Sequence, residues 1–158
     1  MMLRLKTKYF GEISVKTEDV FTFEKGIPGF LEETEFVMLP FGEDNPFYIM
    51  QSVKTPMLAF VVTEPFLFFP SYDFELDDSV VNQLQIESEK DVHVFTILTL
   101  GDTLAETTAN LQAPVVLNLN KKLGKQVILS DGRYTTKHRL MPQTMEEVKD
   151  ARIDTQTK

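Results

Sequence analysis

The two histidines are the residues best suited to acid–base chemistry, and neither has the surroundings of a catalytic group. His93 lies among β-branched residues, on the same strand face as Phe95, which is typical of a packed or edge histidine rather than a general base. His138 stands between Lys137 and Arg139, whose positive charges oppose its protonation. The two histidines are 45 positions apart and have no metal-ligand spacing, so we expect no histidine metal site.

Other kinds of catalytic site also lack their residues in this sequence. The absence of cysteine excludes a cysteine nucleophile, a disulfide framework and thiolate zinc sites. Neither a glycine-rich phosphate loop nor a G-x-S-x-G motif occurs. Asp77 and Asp78 could be an acid and a base, but they stand where a helix start favours negative charge. We therefore expect a protein that is not an enzyme and uses no cofactor or metal.

Two other interpretations stay open at this point. One is a small-ligand-binding or hydrolytic β-barrel domain that uses carboxylates, since the mouth of a barrel can hold a ligand. The other is a structural or chaperone module with no regulatory role. A deep polar pocket would favour the first, and a flat acidic face beside aromatic residues would favour partner binding.

The segment from residue 64 to residue 74 is the most unusual part of the chain, because it crowds aromatic rings among prolines and carboxylates. A loop cannot easily bury so many rings, and aromatic residues are enriched at the energetic centres of protein interfaces. The alternative is that they form a small core under the loop. The predicted partner-binding residues are Glu64, Phe66, Phe68, Phe69, Tyr72 and Asp73. The carboxylates expected to surround the patch are Glu64, Asp73, Glu75, Asp77 and Asp78.

The charge of the chain is strongly uneven. The net charge is −8, yet residues 12–106 contain 19 acidic and four basic side chains, while residues 1–11 and 107–158 are both net positive. Such an acidic body repels phosphate, so we expect no direct nucleic-acid binding. It would attract a basic protein and speed their encounter, although acidity also simply favours solubility. An apolar patch with an acidic rim suits a basic amphipathic partner helix.

The hydropathy pattern predicts a cytoplasmic protein. No apolar stretch approaches the roughly 18 residues of a membrane span, and the basic N-terminus is not followed by the apolar region of a secretory signal. Nothing in the pattern resembles a dimer seam, so we expect a monomer that does not bind membranes.

Short alternating or β-branched runs predict eight or nine strands. The runs are 3–7, 13–15, 20–24, 35–39, 47–50, 57–62, 92–100, 115–119 and 126–129, with Tyr134 as a possible start of another. The continuous apolar run 57–62 is typical of a strand buried on both faces. One clear helix is predicted over 76–86 with Asp77 as its N-cap, and Pro28-Gly29 fits the centre of a type II turn.

This pattern predicts a mainly β, single-domain, antiparallel β-barrel-like fold over residues 1–142. The C-terminal segment changes character after Pro142. Thr144 and Glu147 have the spacing of a capping box, but apolar residues are few. Residues 143–158 are therefore predicted to be a marginal helix or a flexible tail.

Five segments together resemble the FliW family of bacterial flagellar assembly factors. They are 7–13 (TKYFGEI), 23–30 (FEKGIPGF), 56–66 (PMLAFVVTEPF), 108–118 (TANLQAPVVLN) and 126–129 (QVIL), with Pro70 and Tyr72 after the third. Each segment alone is weak, but five in order over residues 3–140 are specific. One departure is Glu64 before Pro65, where an aspartate is expected; both are acids.

The resemblance implies a small β-barrel-like fold, no catalysis and two protein partners. One partner is flagellin, held in the cytoplasm before export. The other is CsrA, a small basic RNA-binding regulator that represses translation of the flagellin message. In such a system, a FliW protein bound to flagellin does not bind CsrA, and export of flagellin frees it to bind CsrA and relieve repression.

Overall fold

The computed structural model describes residues 1–140, which contain eleven β-strands and one α-helix. The strands are β1 (Met2–Lys6), β2 (Glu12–Lys16), β3 (Phe21–Thr22), β4 (Glu35–Pro40), β5 (Phe47–Ser52), β6 (Ala59–Thr63), β7 (Val92–Thr99), β8 (Thr108–Ala109), β9 (Val115–Asn118), β10 (Leu123–Gln126) and β11 (His138–Arg139). The helix is α1 (Asp78–Gln83). The tail predicted for 143–158 lies outside the described residues.

Seven of the strands form a closed barrel. Their order is β7-β6-β5-β4-β3-β10-β9, and β9 pairs back onto β7. All neighbours are antiparallel except β10 and β3, which run parallel and are joined by the single residue pair Leu123 and Thr22. Strands β8 and β11 extend the sheet beside the end of β7, and β1 and β2 form a separate hairpin. The predicted mainly β, barrel-like fold is confirmed.

Strands β5, β6 and β9 bury apolar side chains on both faces of the barrel wall. Adjacent residues of β5, Ile49 and Met50, belong to different apolar clusters, as do Val61 and Val62 of β6. This follows from the two-residue period of a strand, which sends successive side chains to opposite faces. The wall therefore separates two cores, and the segments outside the barrel have an apolar surface to pack on.

The predicted turn at Pro28-Gly29 is confirmed. The amide of Phe30 donates to the carbonyl of Ile27 at 2.8 Å, and Gly29 has φ +86°. A positive φ at the third position is what a type II turn requires, and glycine adopts it without steric cost. The turn closes a loop that lies against β10.

The helix is shorter than predicted, but its cap is the predicted residue. The Asp77 carboxylate accepts from the amide of Val80 at 3.1 Å, which satisfies one of the free amides of the first turn. The helix ends at Gln83, and Gln85 has φ +54°. The predicted flanks Leu76 and Ile86 pack against the core from outside the helix.

Three strand predictions are wrong in detail. The run 126–129 is predicted as a strand, but β10 ends at Gln126 because Pro114 opposite Val127 has no amide and can only accept. The run 57–62 is not buried throughout, since Met57 is 68% exposed and β6 begins at Ala59. Tyr134 starts no strand, and the two-residue strand β8 is too short to give a hydropathy pattern.

Candidate protein interface

The aromatic segment leaves the barrel at the end of β6 through a short 3-10 turn. Pro65 stands at the start of this turn (Pro65–Leu67), where its missing amide costs no hydrogen bond. The turn projects the next two side chains outward, so Phe66 is 46% exposed and Leu67 is 60% exposed. These two residues form the solvent-facing apex of the segment.

Tyr72 lies in the core rather than on the surface. It is 4% exposed, and its hydroxyl donates to the carbonyl of Leu111 at 2.7 Å. Its ring packs edge-on against Tyr134 at a centroid distance of 4.7 Å and also contacts Phe66 and Phe74. Burial raises the pKa of this hydroxyl, with a smaller contribution from Tyr134. Tyr72 therefore holds the segment from beneath.

Phe68 and Phe69 are half-buried and pack away from the apex. The ring of Phe68 stacks on Phe47 at 6.2 Å, and the ring of Phe69 packs edge-on against His138 at 6.2 Å. Nε2 of His138 accepts from the amide of Thr135 at 2.8 Å. Both phenylalanines thus behave mainly as a small core under the loop, the alternative that the sequence left open.

Glu64 pairs with His93. Nε2 of His93 donates to Oε2 of Glu64 at 2.6 Å, and the imidazole stacks on Phe95 at 4.7 Å. The contact ties the end of β6 to β7 at the base of the aromatic segment. His93 is therefore a packed histidine with a carboxylate partner.

The exposed side of this segment forms one wall of a cleft of about 720 Å³, here named the acidic cleft. Its opposite wall is made by the residues after α1 and by the start of β7. The apolar lining residues are Phe66, Tyr72, Phe74, Leu76, Val81, Ile86, Val92 and Val94, and the carboxylates at its rim are Asp73, Glu75, Glu87 and Glu89.

The rim carboxylates are exposed, and most have no counter-charge. Asp73 is held by Nη2 of Arg133 at 3.1 Å. Asp131 and Asp73 raise the pKa of the Arg133 guanidinium, so it stays charged. Within residues 1–140, Glu75, Glu87 and Glu89 form no salt bridge. The rim therefore presents three unneutralised negative charges around an apolar floor.

The structure brings together only part of the predicted set. Phe66 and Asp73 line the acidic cleft, Tyr72 forms its floor, and Phe68, Phe69 and Glu64 lie outside it. The expected carboxylate Asp77 caps α1 on the other side of the helix. Sequence reasoning missed the contribution of Glu87 and Glu89, whose only signal is the acidic run Glu87-Ser88-Glu89 before β7.

No arrangement suited to a metal is present in the described part of the chain. Residues 1–140 contain no group of three or more histidine or carboxylate side chains that could hold an ion. In the same residues, no helix has the length and apolar character needed to cross a bilayer.

Comparison with known proteins gives the identity. Residues 4–140 match the sequence profile of a family described as FliW protein. This chain belongs to the FliW family. The resemblance noted from the five sequence segments is therefore confirmed, and the match covers nearly the whole described structure.

Individual relatives agree with this assignment. The flagellar assembly factor FliW of Geobacillus sp. (strain WCH70) is 56% identical over 141 residues, which cover 89% of this chain and 97% of that protein. The corresponding factor of Bacillus subtilis (strain 168) is 49% identical over 134 residues, covering 85% of this chain and 94% of that protein. A crystal structure of the flagellar assembly factor FliW superposes with a TM-score of 0.85 at 54% identity, covering 89% of this chain and 98% of that one.

Proposed function

We propose that this FliW-family chain is a non-catalytic flagellar assembly factor that binds flagellin in the cytoplasm. When released from flagellin, it binds and antagonises the RNA-binding translational regulator CsrA. Family membership and the names of its relatives support the flagellar role. The acidic cleft is the observation that carries the partner-binding part of the proposal, because it combines an apolar floor with an unneutralised acidic rim.

The chemistry of the cleft fits a helical segment of a basic protein. An amphipathic helix buries its apolar face in a hydrophobic groove, and the apolar floor of the cleft offers such a surface. Phe66 supplies an exposed aromatic side chain at one wall, the kind of residue that dominates interface energetics. Glu75, Glu87 and Glu89 supply charges that would attract a basic partner.

The same features support a binding role over a catalytic one. The rim carboxylates are exposed, and they surround an open apolar surface rather than an enclosed polar pocket. Fixed charges around an apolar floor steer and orient a macromolecule. From the acidic charge and the hydropathy of the sequence we further propose a cytoplasmic monomer that contacts neither nucleic acid nor membranes.

The test is a binding and competition assay with the full chain. Purified flagellin and purified CsrA should each form a complex with it, and excess flagellin should displace CsrA. CsrA released from a target RNA on adding the chain would demonstrate the antagonism. Failure of the chain to bind either protein would refute the proposal, and simultaneous binding of both would refute the partner exchange.

A further inference from the structure

A second cleft lies on the other side of α1. It has a volume of about 440 Å³ and lies between the loop that contains the Pro28 turn, the first residues of α1 and strand β10. We name it the β10 cleft. Residues of β10 and of the chain just after it, from Leu123 to Ile128, form one side of this cleft.

The hydrogen bonds that β10 and the residues after it make on the β9 side show which of their backbone groups point away from β9. The amide of Val127 donates to Pro114 at 2.9 Å, and the amide of Leu129 donates to Gln112 at 2.7 Å. In an antiparallel ladder, alternate residues direct their backbone groups to opposite edges. Gln126 and Ile128 therefore direct their backbone N–H and C=O groups away from β9, toward the β10 cleft.

On its opposite edge, β10 pairs with β3 at only one pair of residues. Strand β3 meets β10 at Leu123 and Thr22, where Thr22 donates to the carbonyl of Lys122 at 2.9 Å. The next residue, Phe23, already donates to Thr34 at 2.8 Å, so the chain has turned away from β10. Within residues 1–140, no strand pairs with β10 on this side at 126–128, and the amides of Gln126 and Ile128 donate to no loop or turn residue. The barrel is thus closed by a seam that leaves a short strand edge open.

We propose that the edge of β10 at 126–128 is a strand-addition site, at which an extended segment of a protein partner pairs with the free backbone groups. An open strand edge is satisfied by another extended backbone, and side pockets then select its side chains. This inference rests on the proposed function, in that it assigns one of the two partners to a surface separate from the acidic cleft.

The side chains around this edge indicate what kind of partner segment could bind there. Leu31 and Ile128 are 70% and 66% exposed and offer apolar contacts. Lys25, Lys125 and Glu24 also line the cleft, and none of the three forms a salt bridge with a described residue. The occupant is therefore an extended segment with apolar side chains, for which the exposed Leu31 and Ile128 provide contacts.

The charge near the cleft argues against the same partner occupying both surfaces. Two carboxylates, Glu24 and Asp77, and two lysines line the β10 cleft, so it has no excess of negative charge; Oδ1 of Asp77 accepts from Ser79 and from the amide of Val80. These hydrogen bonds lower the pKa of Asp77, with a small contribution from Lys125. A basic partner is drawn to the rim of the acidic cleft, which leaves the β10 edge for the other partner, flagellin.

One substitution removes the free amide and leaves the barrel ladder intact. Gln126→Pro deletes the N–H that faces the cleft, while the neighbouring bonds to β9 come from other residues; proline is tolerated on such edges. The matched control is Gln126→Ala, which loses the same side-chain bond from Nε2 to Ala113 but keeps the amide. Ile128→Pro and Ile128→Ala form a second pair in case the first does not fold.

The experiment measures flagellin and CsrA binding by the full chain and its variants, together with amide exchange. We expect flagellin affinity to fall at least tenfold in Gln126→Pro relative to Gln126→Ala, with CsrA affinity unchanged. We also expect flagellin, but not CsrA, to slow exchange at Gln126 and Ile128 at least tenfold.

Three results would overturn the strand-addition site. The first is flagellin binding equally well to the proline and alanine variants, with the wild-type chain binding normally, which leaves the proposed function standing. The second is protection of Gln126 and Ile128 in the free chain, which would mean that its own tail or a second copy occupies the edge. The third, no flagellin binding by the wild type, would overturn the proposed function as well.

Discussion

The two clefts on either side of α1 offer different chemistry to a partner. The acidic cleft presents side chains, namely an apolar floor with Phe66 at its wall and free carboxylates at its rim. The β10 cleft presents backbone groups of Gln126 and Ile128, flanked by two lysines, two carboxylates and exposed aliphatic residues. The first suits a folded basic helix, and the second suits an extended strand.

This difference shows how one small barrel could hold two unlike proteins. Helix α1 separates the clefts, since Val81 faces one and Ser79 faces the other. The two clefts share α1 as a wall, so a partner that extends beyond one cleft over α1 would obstruct the other. Exchange of one partner for the other then needs no conformational change in the barrel.

The largest expected effect is the loss of stability when Tyr72, which forms the floor of the acidic cleft, is truncated. Tyr72→Ala should cost about 3–5 kcal/mol of unfolding free energy, because it removes a buried aromatic ring. Tyr72→Phe should cost about 1–2 kcal/mol, because it leaves the buried Leu111 carbonyl without its donor. Urea denaturation measures both. A Tyr72→Ala variant with unchanged stability would place this ring on the surface instead.

Phe66→Ala should act on binding rather than on folding. We expect CsrA affinity to fall by about 2 kcal/mol, as for an exposed aromatic anchor, with stability lowered by no more than about 1 kcal/mol through the lost ring contact with Tyr72. Leu67→Ala is the matched control, because Leu67 is more exposed but does not line the acidic cleft. Calorimetric titration measures the affinities, and equal losses in the two variants would contradict the assignment of the cleft.

Neutralising the rim should slow association with CsrA. The triple variant Glu75→Gln, Glu87→Gln and Glu89→Gln should lower the on-rate several-fold at low salt and flatten its salt dependence, because exposed charges are screened beyond about 8 Å at physiological ionic strength. The control neutralises Glu18, Glu43 and Asp44, which are exposed and lie outside the cleft. Stopped-flow kinetics should then show slower association only for the rim variant. Equal slowing in both variants would mean that the overall net charge, and not the position of the rim carboxylates, sets the association rate.

The smallest effect concerns the loop that walls the β10 cleft. The Glu33 carboxylate accepts from Ser52 and Thr55, each at 2.5 Å, and these bonds lower the pKa of Glu33. Glu33→Gln should cost about 1 kcal/mol of stability. Because the folded pKa lies below the unfolded value near 4.3, the loss should be full above about pH 5 and shrink as pH falls through the folded pKa.

Denaturation curves of wild type and Glu33→Gln between pH 3 and pH 7 test the sign of that dependence. A difference that grows on acidification would mean that Glu33 is stabilised in its protonated form. A constant difference would mean that the carboxylate charge has no part in anchoring the loop.

Features that depend on neighbours in the chain were predictable. The Asp77 cap and the Pro28-Gly29 turn follow from local backbone requirements, and most strands follow from a period of two. The aromatic segment was also recognised as a candidate interface. The sequence could not show which of its aromatic rings are buried and which are exposed, because burial depends on segments such as 111–134 that are distant in sequence.

The amino-acid sequence by itself determined an acidic, mainly β chain with the segments of the FliW family. The folded structure was needed to show that Glu64 pairs with His93, that Glu87 and Glu89 join Asp73 around one cleft, and that the edge of β10 at Gln126 stays open. The physical reason is that local conformation is set by neighbouring residues. The partner of a charge or of a strand's backbone amides is set by whichever distant segment packs beside it.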